Sequence, residues 1–176
     1  AQDIPIGTWR MHLPYATSID LAFMGDRFVS ATPFSLLYYY TDDGSLQKLD
    51  ASNSLNGIGV QAVGFHPERD VLVVGYDDGL LDLISGGNKV TPFIDIQSAN
   101  APEVRFNDVF FLGERAYLSS NLGIIVVDLE ALEVSETYRI GSNGRTAEVF
   151  QLDTFQNKFY AACDELGLLV MQDFWI

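Results

Sequence analysis

The chain has 176 residues, 48% of them apolar, with 10 basic against 24 acidic side chains and a formal charge of −14. That length and apolar share can fill one substantial core, and so acidic a field counts against a nucleic-acid partner. Cys163 is the single cysteine, so an intrachain disulfide and a multi-cysteine zinc site are both excluded, and no apolar run approaches the ~20 residues that span a bilayer as a helix.

Residues 6–13, which carry Trp9 in a partly alternating pattern, read as a strand outside the regular units. From residue 18 onward, short alternating apolar runs are punctuated by turn residues. The first group predicts strands at 18–24, 28–32, 36–41 and 45–49, broken by Gly25-Asp26-Arg27, Pro33-Phe34-Ser35 and Asp42-Asp43-Gly44. The second predicts 60–65, 71–76, 80–84 and 89–93, and the third 106–112, 116–120, 124–129 and 134–140. The fourth has 148–152, 158–163 and 168–173, without an outer strand of its own. Polar segments at 50–59, 92–102 and 141–145 read as loops crossing from one unit's outer strand to the next unit's first.

The groups repeat one another every 44 residues. Ser35, Gly79, Gly123 and Gly167 mark the register; a small residue (Ala31, Gly75, Ser119, Cys163) stands four positions earlier. The apolar pairs Leu36-Leu37, Leu80-Leu81, Ile124-Ile125 and Leu168-Leu169 follow at or beside the same point. A period of this length built from short strands predicts an all-β fold, a β-propeller of about four four-stranded blades at 18–59, 60–105, 106–146 and 147–176. Blades that cannot bury their faces alone must stack, which accounts for the recurring apolar pair. The small residues suit strands close to a narrow channel, and Cys163 among them reads as a buried apolar thiol. Three of the four reversals carry glycine because a tight turn needs positive φ there; Ser35 breaks that rule. Segment 6–13 is the candidate outer strand that closes the ring and covers a free sheet edge. An arc left open would self-associate through its terminal blades.

Candidate sites are few. Tyr38-Tyr39-Tyr40 is the most unusual local feature, with Tyr38 and Tyr40 on one strand face and Tyr39 on the other. It is either inter-blade packing or an interaction surface for a sugar or peptide. His66, Glu68 and Asp70 crowd one turn and contain metal-ligand chemistry, yet an ordinary polar turn uses the same residues. Asp42-Asp43-Gly44, Asp77-Asp78-Gly79 and Asp164-Glu165 lack the ligand series and flanking helices of a calcium loop. Gly57-Ile58-Gly59 and Ser85-Gly86-Gly87-Asn88-Lys89 lack the spacing of a phosphate loop. No nucleophile elbow singles out a serine. The residues thus call for no catalytic site, metal or cofactor.

The opening Ile4-Pro5-Ile6-Gly7-Thr8-Trp9-Arg10-Met11-His12-Leu13-Pro14-Tyr15 resembles the start of the PorZ family, surface-exposed components of the type IX secretion system of Bacteroidetes. Gly25 to Thr32, Leu36 to Tyr40, Tyr117 to Ser120 and Gly123 to Glu130 are similar to the family in the same way. Leu55-Asn56-Gly57-Ile58-Gly59-Val60 resembles the linker of the related two-component-regulator propellers. Pro33 and Ser35 depart from the pattern. The resemblance implies a seven-bladed ring of which this chain supplies about four blades, and an accessory role in secretion and cell-surface attachment of cargo. It implies a protein partner or a surface glycan such as lipopolysaccharide as ligand, and carries no residue-level ligand motif. A start at Ala1-Gln2-Asp3 rather than methionine reads as a trimmed or processed polypeptide, with export to the periplasm or cell surface preferred. The expectation is a non-enzymatic exported binding or scaffold module. The ligand-sensing propeller of a two-component regulator and a polysaccharide-acting propeller enzyme stand as the alternatives.

Overall fold

The computed structural model describes residues 14–86, 88–93, 104–141, 146–156, 158–164 and 166–171. Among them all regular structure is strand. The first blade holds β1 (Asp20–Phe23), β2 (Arg27–Thr32), β3 (Ser35–Tyr40) and β4 (Leu46–Asp50). The second holds β5 (Val60–His66), β6 (Val71–Tyr76), β7 (Leu81–Ser85) and β8 (Lys89–Phe93). The third holds β9 (Phe106–Leu112), β10 (Arg115–Ser120), β11 (Gly123–Asp128) and β12 (Glu133–Tyr138). The fourth holds β13 (Val149–Phe155), β14 (Lys158–Cys163) and β15 (Gly167–Met171). Each sheet is an antiparallel meander in chain order, as the alternating runs and Asp-Gly turns predict. The expected strand at 6–13, most of the crossing at 92–102, and residues 142–145 and 172–173 lie outside the described residues.

The blades stack through their first strands, β1 on β5, β5 on β9 and β9 on β13. Three apolar cores fill the junctions. In the first, Ala31, Leu36, Tyr38 and Leu49 meet Leu72, Val74 and Ile84 of the second blade. In the next, Ala62, Val73, Leu81 and Leu83 meet Val109, Leu118, Ile125 and Val127. In the last, Tyr117, Ile124 and Val126 meet Leu152, Phe159 and Ala161. Each aliphatic side chain buried this way contributes about 2 kcal/mol, so the junctions carry the fold.

Two expectations need correction. The second strands (28–32, 71–76, 116–120, 158–163) were expected beside the channel, but the strands that meet around the axis are β1, β5, β9 and β13. The small residues of the second strands have a different cause. A Cβ on Gly75 would lie 2.7 Å from the ring of Phe106, which packs in from the next blade. The fourth repeat is also displaced by one position. Its reversal runs from Cys163 to Gly167, one residue longer than that from Ser120 to Gly123, so Ala162 takes the place corresponding to Ser119. Cys163 instead turns back into the third core, where it is buried. Burial, and then the charge of Asp164, push its thiol pKa up, as an inert structural thiol requires.

The face each blade turns toward its predecessor carries one register row of four side chains. In the second blade it is Phe65, Leu72, Ile84 and Val90; in the third it is Phe111, Ala116, Val127 and Val134. Both rows are packed against the preceding blade. The corresponding row of the first blade, Phe23, Phe28, Tyr39 and Leu46, stands 54%, 38%, 45% and 61% exposed. At the other end Leu168 and Val170 are exposed on the far face of the fourth blade. Among the described residues the arc is open, and each end displays one half of a blade junction.

Gly79, Gly123 and Gly167 have φ of 81°, 97° and 66°, as the turn chemistry predicts, while Ser35 is outside that region. Here the first reversal uses Thr32, whose Oγ1 donates to the Ser35 carbonyl at 3.1 Å; Ser120 repeats the device with Gly123 at 2.9 Å. A side chain on Gly123 would overlap the Tyr138 carbonyl, whereas one on Gly167 would meet open space. Gly123→Val should therefore cost about 3 kcal/mol, and Gly167→Ala about 1 kcal/mol for the left-handed backbone alone, read from urea unfolding.

Candidate functional site

The crossing segments and the β2–β3-type reversals share one rim of the arc. A recurring clip ties them. Asn121 N–H donates to the Arg105 carbonyl (3.2 Å) and Arg105 N–H to Asn121 Oδ1 (2.8 Å). One blade on, Asp164 N–H donates to the Glu148 carbonyl (3.1 Å) and Glu148 N–H to Asp164 Oδ1 (3.1 Å). In the second blade Asp77 N–H donates to the Gly59 carbonyl at 2.9 Å. Gly59, at φ +80°, leaves the Asp77 carboxyl group the space a side chain would take. Pro33 occupies the matching place in the first blade and has no N–H to give. Its carbonyl instead accepts the N–H groups of Gly59 and Val60, both at 3.0 Å, and so joins the first reversal to the second blade.

The crossing before the second blade has an additional anchor that the sequence reading missed. Asp82 on β7 is fully buried. It accepts Asn56 N–H (2.9 Å), Asn56 Nδ2–H (2.9 Å) and the Tyr76 hydroxyl (2.6 Å). Burial first, and then donation to this carboxylate, push the Tyr76 pKa far up. Gly57 lies so close over Tyr76 that a Cβ would sit 2.7 Å from the ring. The available signal was a lone carboxylate inside the apolar run Leu80-Leu81-Asp82-Leu83-Ile84. On the rim so fixed, Phe34 and Ile58 stand exposed, Ile58 by 60%.

Nearer the axis, polar straps link first strands. Asp20 Oδ2 accepts Val63 N–H at 2.8 Å. The carboxyl group of Asp108 accepts the N–H of Leu152, while neighbouring Asn107 donates to the Val149 carbonyl at 2.8 Å and to Glu148 Oε1 at 3.0 Å. Burial above all, with a smaller contribution from the charge of Asp20, raises the Asp108 pKa against the lowering effect of the Val109 and Leu152 amides.

The three tyrosines do not form one platform. Tyr38 is buried in the first junction, its hydroxyl without a partner among the described residues and its pKa pushed up to about 12 by burial. Tyr40 is half-buried; its hydroxyl accepts from Arg27 (3.0 Å) and donates to Gln47 (2.7 Å), with the guanidinium 5.2 Å from its ring centre. Tyr39 alone is exposed, on the open face of the first blade. His66 is buried as well. Its Nδ1 accepts Arg69 N–H (3.3 Å), which leaves Nε2–H to donate to the Gly113 carbonyl (2.7 Å) of the third blade. It is therefore a tether between blades, flanked by Arg69, which pairs with Glu114 and, at 3.5 Å, Glu130. Beside it lies a shallow recess of about 200 Å³ lined by Phe65, Pro67, Glu68 and Phe111. Among the described residues no group of three or more acidic, histidine or cysteine side chains could hold a metal ion. Asp42 and Asp43 each turn one oxygen to a turn amide.

Stacked meanders with crossings on one rim define a β-propeller arc. The chain belongs to the family described as the N-terminal β-propeller domain of PorZ, of the type IX secretion system, whose model matches residues 29–173. PorZ of Porphyromonas gingivalis, described as an essential bacterial surface component of that system, superposes with a TM-score of 0.70 at 14% identity, over 88% of this chain and 22% of that one. The extracellular domain of BT4673 from B. thetaiotaomicron, described as a one-component or hybrid two-component system, gives 0.74 in two structures, at 13% and 14% identity, over 94% and 22%. The computationally designed protein Ika4 gives 0.68 at 17% identity, over 93% of this chain and 95% of that one. The chain thus spans about 22% of the natural structures it matches. No curated protein matches it. Among the described residues no helix is long and apolar enough to cross a membrane.

Asp82→Ala should cost about 3 kcal/mol, because it leaves the Tyr76 hydroxyl and two Asn56 donors without their acceptor; Tyr76→Phe should cost about 1 kcal/mol. Asp108 behaves oppositely. Its folded pKa is raised, so its ionisation disfavours the folded state once pH passes the unfolded value near ~4. Asp108→Asn should then hold or raise stability at pH 7 and lose that advantage below about pH 4. Urea midpoints at the two pH values check both signs.

Proposed function

We propose that the chain is a non-enzymatic, exported scaffold at a bacterial cell surface, an accessory in secretion and surface attachment of cargo proteins. The observation that carries this reading is the rim. Phe34 and Ile58 are exposed apolar side chains on segments that Pro33, Gly59, Asn56 and Asp82 hold in place by hydrogen bonds. Side chains ordered before encounter lose little entropy on binding, which favours recognition over chemistry as the use of such a rim. The apolar pair suits a protein partner; a surface glycan such as lipopolysaccharide is the second ligand class. Membership of a secretion-system family supports the placement at the surface. The high superposition on the BT4673 extracellular domain supports a second reading, a ligand-sensing propeller of a regulator.

In the full-length protein, Phe34→Ser with Ile58→Ser should leave the fold and surface display intact and lower cargo retained on the cells by about tenfold, as loss of a small apolar hot spot does. Cell fractionation with cargo immunoblots reads it. Undiminished retention would remove the rim from the function, and a kinase domain downstream of residue 176 would move the protein to the sensor reading.

A further inference from the structure

The Asn56-Gly57 pair combines a reactive dipeptide with an unusual restraint. An asparagine side chain is attacked by the next residue's backbone nitrogen, and glycine hinders that approach least because it has no Cβ. Asn56 is exposed, so hydroxide and water reach it. Its amide is nevertheless held. Nδ2 and the backbone nitrogen bond the two oxygens of buried Asp82, both at 2.9 Å, and Gly57 is pressed against the Tyr76 ring. Attack requires the Asn56 side chain to swing onto the Gly57 nitrogen and the intervening peptide to rotate. The clasp opposes both movements while leaving solvent access open.

We infer that Asn56 is a deamidation site whose rate is set by opening of the Asp82 clasp, and that the reaction irreversibly loosens the crossing segment. The balance is simple. The Gly57 nitrogen gives up its proton and bonds to Asn56 Cγ; the Cγ–Nδ2 bond breaks and ammonia leaves. Water then opens the cyclic imide at either carbonyl, which gives aspartate or isoaspartate. The product has lost the Nδ2 donor and sets a new carboxylate beside buried Asp82, where the two like charges repel. Asp82 keeps the Tyr76 hydroxyl, while residues 56–58, with the exposed Ile58, lose the side-chain half of their anchor and the segment is left to the bonds of Gly59 with Pro33 and Asp77.

The test is timed peptide mapping of the full-length protein at pH 8.5 and 37 °C, folded and in guanidinium, scoring the one-dalton gain at Asn56. Asn143-Gly144 is the same dipeptide elsewhere in the chain and serves as the clock for the unfolded state. In guanidinium the two pairs should convert alike. In the folded protein Asn56 should convert at least about tenfold more slowly than in guanidinium, the effect expected from charge-assisted hydrogen bonds. Asp82→Asn, with circular dichroism unchanged, should restore most of that lost rate. If that variant fails to fold, Asn56→Asp tests the product, and amide exchange should quicken at Ile58, Gly59 and Val60 but not in the third and fourth blades. Folded Asn56 converting at the guanidinium rate, or Asn56→Asp exchanging like the parent, overturns the inference.

Discussion

Everything in this molecule depends on the contact between one blade's forward face and the next blade's backward face. A four-stranded meander has two broad faces, and water can be kept from both only if each is covered by another sheet. The chain solves this by making the faces unlike. The backward face carries a row of large side chains such as Phe65, Leu72, Ile84 and Val90, and the forward face interleaves small residues such as Ala31 and Gly75 with Leu36 and Leu81. Gly75 shows the limit of the fit, since even one carbon added there meets Phe106. First strands also end their sheets, so each has amide groups with no ladder partner. Asp20 and Asp108 answer that need by accepting amides of the following blade, and the polar edge becomes a second bond between neighbours.

Much of this was written plainly in the sequence. The strands follow from alternation, and the reversals at Gly79, Gly123 and Gly167 from glycine's tolerance of positive φ. What was obscured was position across the sheet. The spacing of Ala31, Gly75, Ser119 and Cys163 showed that something repeats, but not which neighbour those residues face. Small size suits a narrow axis and an incoming aromatic equally well. The fourth repeat kept its spacing through a longer reversal, so Cys163 matched by number and not by face. A one-residue change in a strand exchanges its two sides.

The rim was legible only in outline. Asn56-Gly57 reads as a turn, which it is, yet nothing local says that its amide reaches residue 82. Asp82 was visible as a lone carboxylate among leucines, a pattern that calls for a distant donor without naming it. The tyrosine triplet was legible as an alternation and not in its partners: its conspicuous side chains are divided among a core, a hydrogen-bonded cluster and an open face. Pro33 was a departure from the repeat on paper and a cross-blade acceptor in the fold. Functional surfaces built from such long-range pairs are poorly encoded in short windows of sequence, because the partners are chosen by the stack.

The three cores also set an order of events during synthesis. Each joins consecutive repeats alone, so among the described residues no side chain of these cores waits for a partner from a distant repeat. A growing chain can complete its first core once the second meander has emerged, and every later meander docks on a finished surface. Assembly then proceeds from the amino terminus by short-range closure, with little loop entropy to overcome at each step. At every stage the newest blade's forward face is still wet, as is the backward face of the first blade with Phe23, Phe28, Tyr39 and Leu46.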